Sequence, residues 1–295
     1  MKKIAVIGAG TMGNGIAHVL AQYGFSVRLI DVSPEALDKA INNISRNLDR
    51  QVEKGTVDSE TKAKALQLIQ TATTIKGNIK DCDLVIEAAS EQFAIKAEIF
   101  RQLDEEASPA TILASNTSSI SITKIASVTK RPGKVIGMHF MNPVPVMKLV
   151  EVICGYSTET AVADTIIELS KTIQKIPVKV QDYPGFVANR ILMPMINEAI
   201  WTLHEGVAGV AETDTVMKLG MAHPMGPLQL ADFIGLDVCL SILKVMQDGF
   251  GNPKYAPCPL LVNMVTAGNL GVKTGQGFYQ YTKGSKELIV APAFQ

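Results

Sequence analysis

Lys3-Ile-Ala-Val-Ile-Gly-Ala-Gly-Thr-Met-Gly-Asn-Gly15 sets the architecture of the chain. An apolar, β-favouring run enters Gly8-Ala-Gly-Thr-Met-Gly13, and the stretch from Met12 to Tyr23 then carries apolar residues at helical spacing, so the glycines lie at a strand-to-helix turn. Gly8 allows the tight turn and Gly10 lets the backbone approach a diphosphate. Gly13, helped by Gly15, lets the helix pack close to the strand while its N-terminus, at Thr11 and Met12, faces phosphate oxygens. A second β-rich run, Ser26 to Asp31, ends on a carboxylate at the distance expected for a ribose contact. Such a carboxylate accepts from ribose hydroxyls and repels a 2′-phosphate, so NAD is expected rather than NADP. Arg28, three residues before Asp31, lies inside the strand.

Beyond this turn, β-rich runs occur at Asp83 to Glu87, Thr111 to Ser115, Val135 to Phe140, Leu149 to Ile153 and Pro177 to Val180, the early ones separated by helical periodicity. This alternation predicts a Rossmann-type α/β fold, a doubly wound and mostly parallel sheet with ligands at the carboxyl ends of its strands. Ser33-Pro34-Glu35 opens a helix with a capping hydroxyl, proline at its first position and an early acid. That helix is expected to run to about Lys54, with Gly55 as its cap and a second helix starting at Asp58 or Ser59. After Asp182 the pattern changes, and Pro184-Gly185 marks a boundary between an NAD-binding domain, 1–183, and an all-α C-terminal domain, 184–295. Met193, Met195, Ile196, Ile200, Met217, Leu219, Leu228 and Leu230 give that second part apolar residues on more than one helix face. They suit either an ordinary helical core or the interface of a homodimer formed through the C-terminal domain.

Composition excludes several classes. The chain has 295 residues, 47% of them apolar, and a formal net charge of zero, so no global field draws it to nucleic acid or an anionic membrane. Cys82, Cys154, Cys239 and Cys258 are far apart with no Cys-x-x-Cys, giving neither a metal site nor a disulfide framework. No secretory segment precedes the first strand and no apolar run approaches the roughly 20 residues of a membrane span, so a cytoplasmic protein with reduced thiols is expected.

Three further features carry chemistry. Arg46, Arg50 and Lys54 follow i, i+4, i+8 spacing on the long helix, which makes a cationic stripe. It is either a solvated face balanced by Asp49 and Glu53 or a seat for a multiply phosphorylated ligand such as coenzyme A. Ser115-Asn116-Thr117-Ser118-Ser119 stands where a strand's carboxyl end presents ligand groups, and its hydroxyls can cap the next helix, face a site, or do both. His139 ends one apolar run and Glu151 sits in the next, across a Pro-rich turn; adjoining strands would let the carboxylate fix the tautomer of an acid/base imidazole. His18, His204 and His223 lack such a context and are read as packing or surface residues.

Taken together, these segments resemble the L-3-hydroxyacyl-CoA dehydrogenase family, in particular its bacterial short-chain 3-hydroxybutyryl-CoA branch. The resemblance runs through Gly8-Ala-Gly-Thr-Met-Gly13, Ala114-Ser-Asn-Thr-Ser-Ser119, Gly137-Met-His-Phe-Met-Asn-Pro-Val-Pro-Val-Met-Lys-Leu-Val-Glu151, Pro184-Gly-Phe-Val-Ala-Asn-Arg190 and His223-Pro-Met-Gly-Pro227. It implies that His139 is the catalytic base, Glu151 its orienting partner, and Ser118 and Asn189 substrate-positioning groups. It also implies that Glu91, Lys96, Asn142 and Lys273 join the NAD site, that Arg50 and Lys54 contact an acyl-CoA substrate, and that domain closure brings Asn189 into play. The chain departs from the family's habit at Asn47, where serine is frequent, at Arg50, where short-chain relatives often have lysine, and at Val272 and Gln276, where basic residues are common. The last two lie beside Lys273 and leave His139 and Glu151 untouched.

Two rivals share the architecture. One is a dehydrogenase of a free hydroxy acid, such as a sugar acid or carnitine, which needs no basic stripe. The other is a non-catalytic structural protein of the crystallin kind, which needs no acid/base pair.

Overall fold

The computed structural model describes residues 1–282, 284–285 and 287–295. Two compact units divide it, Met1–Tyr183 and Pro184–Gln295.

In the first unit β1 (Lys3–Ile7) leads into α1 (Thr11–Gln22), β2 (Ser26–Ile30), α2 (Pro34–Glu53), α3 (Ser59–Gln67), β3 (Ile69–Ala72), β4 (Leu84–Glu87), α4 (Phe93–Glu106) and β5 (Ile112–Ser115). There follow α5 (Ile122–Ala126), β6 (Val135–Phe140), β7 (Leu149–Cys154), α6 (Thr160–Thr172) and β8 (Ile176–Gln181). The strands form one sheet in the order β3-β2-β1-β4-β5-β6-β7-β8. Neighbours run parallel except β6 and β7. The order reverses between β1 and β4, and the glycine loop leaves β1 beside that switch point, where doubly wound sheets take ligands. Strands buried on both faces must be apolar throughout, which is why Ile4 to Val6, Leu84 to Ile86 and Leu113 to Ala114 carry no polar side chain and are fully buried.

α2 shows how locally the chain encodes its long helix. Ser33 Oγ accepts from the Ala36 amide at 3.1 Å, Pro34 begins the helix, and Leu37, Ala40, Ile44 and Leu48 form its buried stripe. Burial of a side chain such as Ile44 or Leu48 contributes roughly 1.5–3 kcal/mol. The helix stops because Gly55 takes a left-handed φ of 67° and bonds back to Val52 O, and Asp58 then caps α3 through the Thr61 amide.

The strands expected from sequence do not include β3. Ile69–Ala72 is short, half polar and only partly covered, as an edge strand beyond β2 can be, so it gives neither an apolar run nor a clean alternation.

The second unit contains α7 (Ala188–His204), α8 (Val210–Thr215), a π-helical turn (Val216–Gly220), α9 (Pro227–Ile234), α10 (Leu236–Phe250) and α11 (Pro259–Thr266). It has its own core, built on Met193, Ile196, Ile200, Leu228, Leu243 and Met246. One small departure from an all-helical unit is the antiparallel ribbon of β9 (Tyr279–Gln280) and β10 (Ile289–Val290), too short for any periodicity to reveal. Buried carboxylates anchor that segment. Asp232 accepts from the Phe278 and Tyr279 amides and the Tyr281 hydroxyl, while Asp214 caps α9 and accepts from the Tyr279 hydroxyl at 2.8 Å. Among the described residues no helix is long and apolar enough to cross a membrane, and no cluster of side chains could hold a metal ion.

Candidate active site

The antiparallel turn between β6 and β7 sets His139 opposite Glu151 in register. Side chains of directly opposed residues project to the same face of a sheet, so the imidazole and carboxylate meet, with Nδ1 2.8 Å from Glu151 Oε2. Both are buried, His139 at 8% and Glu151 at 2% exposure. An ionised carboxylate only accepts, so this contact suits a ring that carries a proton on Nδ1.

The Ser cluster is tied to the same strand ends. Asn116 Oδ1 accepts from the Phe140 amide at 2.8 Å, which couples the loop after β5 to the residue following His139. Glu91 gathers the rest of the loop: one oxygen accepts from the Thr117 hydroxyl at 2.6 Å, from the Ser118 amide and hydroxyl, and from the Ser119 amide and hydroxyl. Desolvation pushes the Glu91 carboxyl up, but the Lys96 ammonium and these donors outweigh it and hold it below the usual carboxylate range. Lys96 lies 1% exposed and donates to both oxygens of the fully buried Glu87, at 2.8 and 2.9 Å. Glu87 is a site residue that sequence reasoning misses. Its signal is an acid ending an apolar strand nine residues before a lysine.

At the dinucleotide loop an added Cβ on Gly13 would collide with Gly8 O, so no side chain fits, and Gly8 has φ 101°. Gly10 opens onto space, and no side chain caps the start of α1. A helix N-terminus left in this way can receive a diphosphate. Asp31 stands beside it, its two oxygens accepting from the Ala9 and Ser33 amides at 2.7 and 3.0 Å. Arg28 is committed elsewhere, to Asn78 O and Asp81.

Next to this helix start, Thr11, Asn14, Asn43, Arg46, Asn47 and Arg50 line a cleft of about 280 Å³. Arg46 donates to Asn43 Oδ1 at 2.7 Å. Arg50 and Lys54 are exposed, and Asp49, one of the acids available to balance the stripe, pairs with Lys62 instead. Met12 packs partly buried against the core, and Asn142 is exposed in the β6–β7 turn. Asn189 and Lys273 lie in the second unit, Asn189 buried near the start of α7 and Lys273 ion-paired with Asp237. Of the histidines without a catalytic context, His18 is fully buried and His204 packs edge-on against Trp201.

The same architecture occurs in known proteins. Residues 3–183 match the NAD binding domain of 3-hydroxyacyl-CoA dehydrogenase and residues 185–281 match its C-terminal domain. The chain belongs to the 3-hydroxyacyl-CoA dehydrogenase family. The probable 3-hydroxybutyryl-CoA dehydrogenase of Bacillus subtilis is 54% identical over 282 residues, 95% of this chain and 98% of that protein. The 3-hydroxybutyryl-CoA dehydrogenase of Bradyrhizobium diazoefficiens is 53% identical over 288 residues, 98% of each. The crystal structure of (S)-3-hydroxybutyryl-CoA dehydrogenase from Ralstonia eutropha superposes with a TM-score of 0.93 at 48% identity, covering 96% of this chain and 99% of that one. As a 3-hydroxyacyl-CoA dehydrogenase family member the chain is an oxidoreductase whose cofactor is NAD, and the glycine loop, uncapped helix start and Asp31 fit that cofactor.

Proposed function

We propose that the protein interconverts an L-3-hydroxyacyl-CoA, with 3-hydroxybutyryl-CoA as its substrate of choice, and the corresponding 3-oxoacyl-CoA. The observation that carries this reading is the buried 2.8 Å pair of His139 and Glu151 at the carboxyl end of β6, in a sheet that also presents the dinucleotide loop. NAD, when bound, supplies the acceptor for the hydride that leaves C3. His139 Nε2 takes the proton of the 3-hydroxyl in oxidation and returns it in reduction. Glu151 keeps the other nitrogen protonated and stabilises the imidazolium as it forms. Ser118 and Asn189 hydrogen-bond the reacting oxygen or the thioester carbonyl and hold the acyl group for transfer.

Gly8, Gly10, Thr11, Met12, Gly13 and Asp31 are assigned to the cofactor's diphosphate and ribose, with Asn142 and Lys273 as further contacts. Glu91 and Lys96 serve this side of the site through the polar cluster that sets the Ser118 loop. Arg50 and Lys54 are assigned to coenzyme A phosphates, supported by their exposure and by the polar cleft that Arg46 and Arg50 line. Exposed apolar side chains of the second unit, among them Ile191, Leu219 and Phe233, support a homodimer formed through that unit. A cytoplasmic location accords with its four free, buried cysteines.

The test is reduction of acetoacetyl-CoA by NADH, followed by the loss of reduced-cofactor absorbance, beside free acetoacetate and a series of longer 3-oxoacyl-CoA esters. Turnover of the esters, best with the shortest, is expected. Turnover of the free acid at a comparable kcat/KM would favour the hydroxy-acid dehydrogenase, and none with either would favour a non-catalytic protein.

A further inference from the structure

Lys175, between α6 and β8, is 7% exposed. Burial disfavours its charged form, and among the described residues no carboxylate offsets that effect. A buried ammonium needs acceptors for its donors. It finds them in the β6–β7 turn, donating to Val144 O at 2.5 Å and Met147 O at 2.7 Å. The turn is itself closed by the Val146 and Met147 amides on Pro143 O. The turn also rests on α1: an added Cβ at Gly15 would lie 2.9 Å from Val144 Cβ, and Val144 is 2% exposed. The ammonium is close enough to α1 to disfavour the charged form of His18, although burial of that imidazole is the larger cause. Gln174, just before Lys175, adopts φ 58°, a conformation unfavourable for a residue with a side chain and one that surrounding contacts must hold.

We propose that Lys175 is a positioning residue that clamps the β6–β7 turn against the dinucleotide helix, so that one buried cation sets both Asn142 and the register of the His139 and Glu151 strands. The inference rests on the NAD-dependent reading above. The turn continues directly from the strand end that carries His139, so any loosening of it passes into the acid/base pair. Small misplacements of reacting groups cost up to about 10²-fold.

Three variants and one measurement on the unaltered chain test it. Lys175→Met removes the donors, Lys175→Gln keeps a neutral donor, and Lys175→Arg keeps charge and donors. NADH affinity is read by fluorescence titration, kcat and KM by acetoacetyl-CoA reduction, and mobility by hydrogen exchange of residues 141–148 in cofactor-free protein. The Met variant is expected to weaken NADH binding about tenfold and lower kcat about tenfold, with KM for the ester little changed, and Arg or Gln to restore part of both. In the unaltered protein residues 141–148 should exchange as slowly as α1. NADH affinity and kcat within twofold of wild type in a folded Met variant would overturn the proposal, as would rapid exchange of 141–148 in the unaltered chain even if no variant folds. A wild-type chain that fails to bind NADH would instead sink the reading on which the proposal rests.

Discussion

His139 and Glu151 face each other across the one antiparallel junction of the main sheet, joined by a 2.8 Å contact between Nδ1 and Oε2. Replacing Glu151 with glutamine keeps the shape and removes the charge that favours an imidazolium. The amide can also turn its oxygen or its nitrogen to the ring, so the tautomer is no longer fixed. The expected outcome for Glu151→Gln is a fall in kcat of about 10²–10⁴-fold with a displaced pH profile. A fall in activity with an unmoved profile would make Glu151 structural.

The basic stripe yields a binding prediction. Arg50 and Lys54 are exposed, so their replacement by alanine should leave the fold intact and remove interactions made equally to bound substrate and transition state. We expect KM for acetoacetyl-CoA to rise about tenfold for each charge-assisted hydrogen bond removed, with kcat nearly constant. Steady-state kinetics with the ester and with a truncated thioester lacking the nucleotide separate the cases, since the truncated compound should not distinguish variant from wild type.

The second unit carries a pH signature. Burial pushes the Asp232 carboxyl up to about 6, despite the Tyr279 and Phe278 amides and the Tyr281 hydroxyl that favour its charged form. Its unfolded value is near 3.9, so between those values the folded chain binds the proton more tightly, and stability from this residue rises as pH falls from neutral through about 6. The effect is roughly 2–3 kcal/mol in order of magnitude. Asp232→Asn lacks the titration and also turns an amide donor toward backbone donors, so it should be less stable throughout. Thermal melting should show the gap between wild type and variant widening toward mild acid, and a gap that narrows there would contradict the assignment.

Much of this is legible in sequence because it is local. Ser33, Pro34, Gly55 and Asp58 act within one turn of their own helix ends, and Gly8 and Gly13 act on each other across a single turn, so their spacing states their roles. His139 and Glu151 are readable as a pair only because a short hairpin joins their strands. The groups that escape act over long separations. Lys175 reaches carbonyls 31 and 28 residues away, and Glu87 accepts from the Ser115 hydroxyl 28 residues on. The family resemblance assigns Glu91 to the cofactor site, and the hydrogen bonds it also accepts from residues 117–119 are a role no periodicity announces. The ribbon near the C-terminus escapes for a different reason, since its first strand is held by Asp232 and Asp214 rather than by an apolar pattern of its own.

Everything proposed for the chemistry depends on His139 moving the substrate's proton. His139→Gln isolates that role when one preparation is measured both for NADH binding, by fluorescence titration, and for acetoacetyl-CoA reduction. Proton transfer through His139 predicts NADH affinity within about twofold of wild type and a kcat lowered by at least about 10²–10⁴-fold. Turnover retained within an order of magnitude, with the variant folded and NADH bound, would contradict it.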